Sequence, residues 1–145
     1  MSEPAAEADL RLYFLLQRAA HQLRTSADRR LADAAGITTA QLGALFAVQD
    51  RPGITQQQLA RTLGLRESAV TGLVTRLTTA GLVTKQAHPS EHRAVVLDLT
   101  DTGTTALRAA QPEIDRFNAE LRAVLGDDGF ARTAVALRRL VEWGT

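Results

Sequence analysis

The stretch 55–81 constrains this chain more than any other. Thr55-Gln56-Gln57-Gln58 has the layout of a capping box. The threonine hydroxyl can accept the N–H of the third helical residue, and the glutamine there can reach back to the cap. Leu59, Ala60 and Leu63 then fall on one side of a short helix, and Gly64 offers the left-handed conformation that ends it. A second helix over 67–80 puts Val70, Leu73 and Leu77 on one face with Val74 beside it, and Gly81 ends it. Arg66, just before that helix, is a poor capping residue. Two such helices joined by three residues bury their apolar faces against each other and a third element, which is a helix-turn-helix arrangement.

The surroundings extend this motif. Residues 82–87 and 94–99 read as two short strands, with Val95, Leu97 and Leu99 alternating with Val96 and Asp98. The loop 88–93 joins them as a hairpin too long for a two-residue turn. Upstream, residues 8–35 read as a long helix with Leu12, Leu16, Ala19, Leu23, Ala27 and Leu31 at three- and four-residue steps. Leu10, Tyr13 and Phe14 add a second apolar side, so this helix suits two partners, one of them available in another chain. Gly36 stops it. Thr38 or Thr39 caps the next helix, to about Gln49, with Leu42, Leu45, Phe46 and Val48 inward. Downstream, Thr100 caps a helix over 101–125 that contains Pro112, where a kink or a short break is expected. Gly126-Asp127-Asp128 opens a last helix to about Trp143, with Phe130, Val135, Leu137, Leu140 and Val141 apolar. The fold class expected is mainly α with a small β-hairpin wing, in a single domain over 1–145.

Composition narrows what such a fold can do. The 145 residues carry 17 basic and 16 acidic side chains, a net charge of +1, which excludes a uniformly basic coat or an acidic mimic. The charge is uneven: residues 55–93 hold Arg61, Arg66, Arg76, Lys85 and Arg93 against only Glu67 and Glu91. The absence of cysteine excludes disulfides, thiolate zinc sites and a cysteine redox switch. Apolar runs reach about five residues, such as Leu12-Tyr13-Phe14-Leu15-Leu16, against about 20 needed to span a bilayer. Met1-Ser2-Glu3-Pro4 is acidic and lacks a signal-peptide layout, so a cytoplasmic location is expected.

The outward face of the 67–80 helix carries Ser68, Thr71, Gly72, Thr75 and Thr79. An exposed helix ordinarily carries Glu, Lys, Arg and Gln, and Gly72 alone costs about 1 kcal/mol relative to alanine. Small side chains let a backbone approach the floor of the major groove, and hydroxyls can donate to phosphates and base edges. The other reading is that Gly72 and the threonines pack against another helix. Candidate DNA contacts are Gln57, Arg66, Ser68, Thr71, Gly72, Thr75 and Arg76, with Lys85, His92 and Arg93 from the wing. A wing arginine suits the neighbouring minor groove, where the potential is most negative.

Two patterns lead elsewhere. His88-Pro89-Ser90-Glu91-His92 matches the H-x-x-E-H spacing of inverted zinc peptidases. That chemistry needs a helix, and Pro89 with its flanking strands puts the pattern in a turn. His21 lies beside Arg18 and Arg24, where an anion could bind, although a plain surface histidine explains it as well. No phosphate loop, nucleophile elbow or paired-carboxylate site appears, so no enzyme activity, metal or cofactor is expected.

The residues 54–61, Ile54-Thr55-Gln56-Gln57-Gln58-Leu59-Ala60-Arg61, continuing through Leu77 to Gly81-Leu82-Val83, resemble the MarR family, the multiple-antibiotic-resistance type of winged-helix regulators. Pro89-Ser90-Glu91-His92-Arg93, the strand 95–99 and Thr100-Asp101-Thr102-Gly103 add to the resemblance, which runs over essentially the whole chain. It implies a winged helix-turn-helix part at 36–100, with the helix-turn-helix at about 55–80 and the wing at 82–99. It also implies dimerisation helices at 8–35 and 101–145. The 67–80 helix would enter the major groove and Arg93 would work at the wing tip. The family wing usually carries Asp two residues before that arginine; Glu91, one methylene longer, loosens the ion pair. The function expected is a homodimeric repressor of a pseudo-palindromic double-stranded DNA operator. The resemblance also allows release by a small aromatic or anionic effector, with Arg18 and His21 as candidates to contact it. The alternative from another class is a helical protein–protein interaction module without DNA binding.

Overall fold

The computed structural model describes residues 11–144. The expected helix start at 8–10, Leu10 among it, and the acidic N-terminus lie outside the described residues. The elements run α1 (Leu12–Ala35), α2 (Thr39–Asp50), β1 (Ile54–Thr55), α3 (Gln56–Leu63), α4 (Glu67–Thr79), β2 (Val83–Ala87), β3 (Val95–Leu99), α5 (Asp101–Leu125) and α6 (Asp127–Trp143).

The punctuation follows the chemistry of the caps. Thr38, not Thr39, caps α2, in a capping box with Gln41. Thr55 caps α3 in a second box with Gln58. Gly64 ends α3 at φ +65°, left-handed as its lack of a Cβ allows. Thr100 caps α5 through the Gly103 N–H at 3.0 Å. Arg66 precedes α4 with no side-chain cap bond.

One element is new. Ile54 and Thr55 form a two-residue strand that pairs antiparallel with β3, opposite Leu97 and Val96. The wing is therefore a three-stranded sheet in the order β1-β3-β2. The Gly53 N–H fixes the join, bonding the Leu97 carbonyl at 3.0 Å and the Asp98 carboxylate at 2.9 Å.

Most of the core lies in the winged part, and Leu31 of α1 with Ala106, Leu107 and Ala110 of α5 join it. Leu45 from α2, Leu59 from α3, Leu77 from α4 and Leu97 from β3 are sealed together, with Ile54 and Val70 beside them. Gly103 lets α5 press on the sheet: a Cβ there would lie 2.2 Å from the Leu82 carbonyl oxygen.

Of the kink or short break expected at Pro112, the break does not occur, since α5 is one helix from Asp101 to Leu125. Pro112 can offer no N–H to the Arg108 carbonyl four residues back. Both residues are exposed, so water can take that carbonyl. α5 instead stays continuous along α1, where Arg30 pairs with Glu120 and lies 5.3 Å from the Phe117 ring centroid. The hydrogen bond to Glu120 raises the Arg30 pKa further above its ordinary value.

The end helices carry almost no core. α1 buries only Leu31, and α6 buries no residue. No single helix among the described residues is long and apolar enough to cross a membrane.

Candidate nucleic-acid interface

The α4 register is set from behind. Val70, Leu73, Val74 and Leu77 are buried, so the helix cannot turn about its axis without losing its packing. Ser68, Thr71, Thr75 and Thr79 are therefore held on the exposed side, and Gly72 is half-buried. The packing alternative for this face fails: a Cβ on Gly72 would meet nothing nearer than the Arg76 guanidinium at 3.6 Å. The small residues face outward rather than into another helix of the chain.

The hydroxyls are less free than expected. Thr71 donates to the Glu67 carbonyl at 2.9 Å, and Thr75 to the Thr71 carbonyl at 2.9 Å. Thr78 does the same to Val74 at 2.7 Å. A threonine has one O–H, and in a helix the carbonyl four residues back is the nearest acceptor. The expectation that Thr71 and Thr75 donate outward is corrected on this point.

The structure brings three candidates from different elements together. Gln57 of α3, Thr71 of α4 and Arg93 of the hairpin line one groove of about 280 Å³, with Gln56, Glu67 and Glu91. Arg93 follows a turn that His88 organises. The His88 Nδ1 accepts the backbone N–H of Ser90 at 3.1 Å and of Glu91 at 2.9 Å. Arg93 itself has φ +69°, the only non-glycine positive φ among the described residues. An L side chain is seldom found there, and the hairpin must hold it. Among the described residues Glu91 and Arg93 form no ion pair, although both line this groove.

The remaining candidates spread around the groove. Arg66 and Arg76 are exposed at either end of α4. Lys85 and His92 line a second hollow, of about 520 Å³, within the hairpin together with Arg93. Arg18 and His21 sit apart, on the outer side of α1 with Arg29. They do not reach the smaller cavity of about 200 Å³ between α1, α2 and α5, which Arg30, Leu31, Leu42, Glu113 and Phe117 help to line. There one Glu113 carboxylate oxygen is buried without a hydrogen-bond partner. Sequence reasoning passed over Gln56, Glu67 and Glu91 as groove residues. Gln56 looked like the interior of a capping box, and no periodicity marks a side chain that reaches across a turn.

Residues 35–94 match the model of the MarR family. The helix-turn-helix transcriptional repressor NicR of Pseudomonas putida is 29% identical over 97 residues, which is 67% of this chain and 61% of that protein. Among solved structures, the PcaV transcriptional regulator of Streptomyces coelicolor with its natural ligand superposes at a TM-score of 0.78. It is 28% identical, with 92% of each chain covered. A MarR mutant of E. coli complexed with operator DNA superposes at 0.75 with 25% identity, over 90% of this chain and 96% of that one. The family match covers the winged part of the chain, and the likeness of fold extends over nearly all of it. The protein is a DNA-binding transcriptional regulator, a reading favoured over that of an interaction module. The family is one of transcription regulators and not of enzymes.

Proposed function

We propose that this regulator acts as a homodimer that lays its two α4 helices in successive major grooves of a pseudo-palindromic operator and represses transcription there. The α4 face carries the proposal: a small, hydroxyl-bearing, exposed surface whose register four buried aliphatic side chains hold. In this reading Ser68, Thr71, Gly72 and Thr75 approach the base edges. Arg66, Arg76 and Lys85 neutralise phosphates, Gln57 and His92 add contacts at the rims, and Arg93 enters the adjacent minor groove.

The exposed apolar surface of the end helices supports pairing. Tyr13, Phe14, Val124, Val141 and Trp143 are all more than half exposed in the single chain. Large apolar patches of this kind mark interaction surfaces. We accordingly divide the chain into a winged part at 36–100 and pairing segments at 8–35 and 101–145. The protein would work in the cytoplasm, where its operator is.

Release would follow from a ligand that favours a spacing of the two α4 helices unsuited to the groove. PcaV holds its natural ligand, and by that likeness an effector suits this chain as well; the family resemblance makes it small and aromatic or anionic. Arg18 and His21 are one place to receive it, and the cavity beside Arg30 and Phe117 is another.

Footprinting on the DNA upstream of the protein's own coding region tests the proposal. The expected result is a protected palindrome with about ten base pairs, or a multiple, between half-site centres. Protection of a single half-site by a monomer, or none at any salt concentration, would overturn it.

A further inference from the structure

The hydrogen bonds of α4 say more about base choice than the size of its side chains does. The Thr71 hydroxyl donates to the Glu67 carbonyl at 2.9 Å. The same oxygen accepts the side-chain amide of Gln56, 2.9 Å away on α3. One turn further, the Thr75 hydroxyl donates to the Thr71 carbonyl at 2.9 Å. A hydroxyl has one proton and two lone pairs. In Thr71 the proton and one lone pair are engaged, and in Thr75 the proton is. Each side chain can present outward only acceptor character and a methyl group.

The four bases differ on that point. In the major groove guanine shows two acceptors, N7 and O6, whereas adenine and cytosine each bring an amino donor and thymine a methyl group. An acceptor set against an acceptor displaces water from both and gives neither a partner. We propose that the inward-turned threonine hydroxyls set base choice: α4 admits adenine, cytosine or thymine and rejects guanine where Thr71 and Thr75 meet the groove floor. Helix carbonyls hold both protons, and Gln56 occupies one further lone pair of Thr71. Phosphate oxygens are acceptors as well, so these two threonines do not serve the DNA backbone. The inference rests on α4 being the helix that enters the groove.

The test is selection of bound sequences from random duplex DNA by the full chain and its variants, with melting temperature measured alongside. The wild-type protein should recover a site in which guanine is depleted, on the contacted strand, at one or two positions per half-site. Thr71→Val keeps the shape and removes the oxygen. It should lower the preference for adenine or cytosine over thymine at one such position by about three- to tenfold. Gln56→Met leaves the Thr71 proton on the Glu67 carbonyl, as the Thr75 proton is held without such a partner, and should keep guanine excluded at that same position. Thr71→Ser restores the hydroxyl and should restore the preference for adenine or cytosine while losing that for thymine. All three should melt within a degree or two of wild type, since neither residue is in the core. Wild-type preference for guanine at the Thr71-dependent position overturns the inference. So does a selected sequence that Thr71→Val leaves unchanged, or guanine admitted by Gln56→Met. A wild-type chain that recovers no sequence at all overturns the groove reading of α4 itself, a distinguishable failure.

Discussion

Leucine does two different jobs in this chain. In the winged part Leu45, Leu59, Leu77 and Leu97 are 0% exposed. In the end helices Leu12 is 52% exposed, and Leu137 and Leu140 are each 43% exposed. The side chain is the same and its share of the surface differs entirely. The winged part closes its own core because α2, α3, α4 and the sheet approach from different directions. α1 and α6 each pack against α5, and much of their apolar surface stays exposed in the single chain. One region is folded to completion within a single chain; the other leaves apolar surface open, as the proposed pairing requires.

Charge on the second region should break the comparison most forcefully. The double variant Leu137→Asp with Leu140→Asp would bury carboxylates at the pairing surface. We expect it to weaken dimerisation by about a thousandfold or more, roughly 4 kcal/mol, as read by sedimentation. A variant that remains fully dimeric would show that the apolar ends are not the interface.

Truncation sharpens the contrast with the same chemistry at both places. Leu77→Ala should lower stability by about 3 kcal/mol in urea unfolding, with a midpoint that does not depend on protein concentration. Leu140→Ala should cost about 1–2 kcal/mol and make the midpoint move with concentration. Identical behaviour of the two would erase the distinction between a closed core and an open face.

The smallest expected effect concerns neither core. Arg93→Ala should weaken operator binding about tenfold, near 1.4 kcal/mol, with melting unchanged. It should also make the salt dependence shallower by about two ions per dimer. Unchanged binding at fixed salt would remove the wing from the contact surface.

Much of the fold was legible because short-range chemistry decides it. Thr55 with Gln58, Gly64 and Thr100 act within four residues of themselves, and each stands where its cap or turn demands. The apolar spacing of Val70, Leu73 and Leu77 likewise fixed which side of α4 faces out. Long-range effects were not legible. Two residues are too few to show an alternation, so β1 was invisible until Leu97 and Val96 stood opposite it. Pro112 signals a break by local rules, yet the length of α5 along α1 keeps the helix whole. The groove suffered in the same way. Thr71 was visible as a small outward residue, but its oxygen is also engaged by Gln56, fifteen positions earlier.

The short strand β1 has a mechanical consequence. It stitches the residues just before α3 to the central strand of the hairpin, and the Gly53 N–H clamps the same seam. The turn that launches the helix-turn-helix and the hairpin that carries Arg93 therefore cannot swing separately. A tilt of one carries the other, so the contacts proposed for α4 and Arg93 would be made or lost in a single stroke.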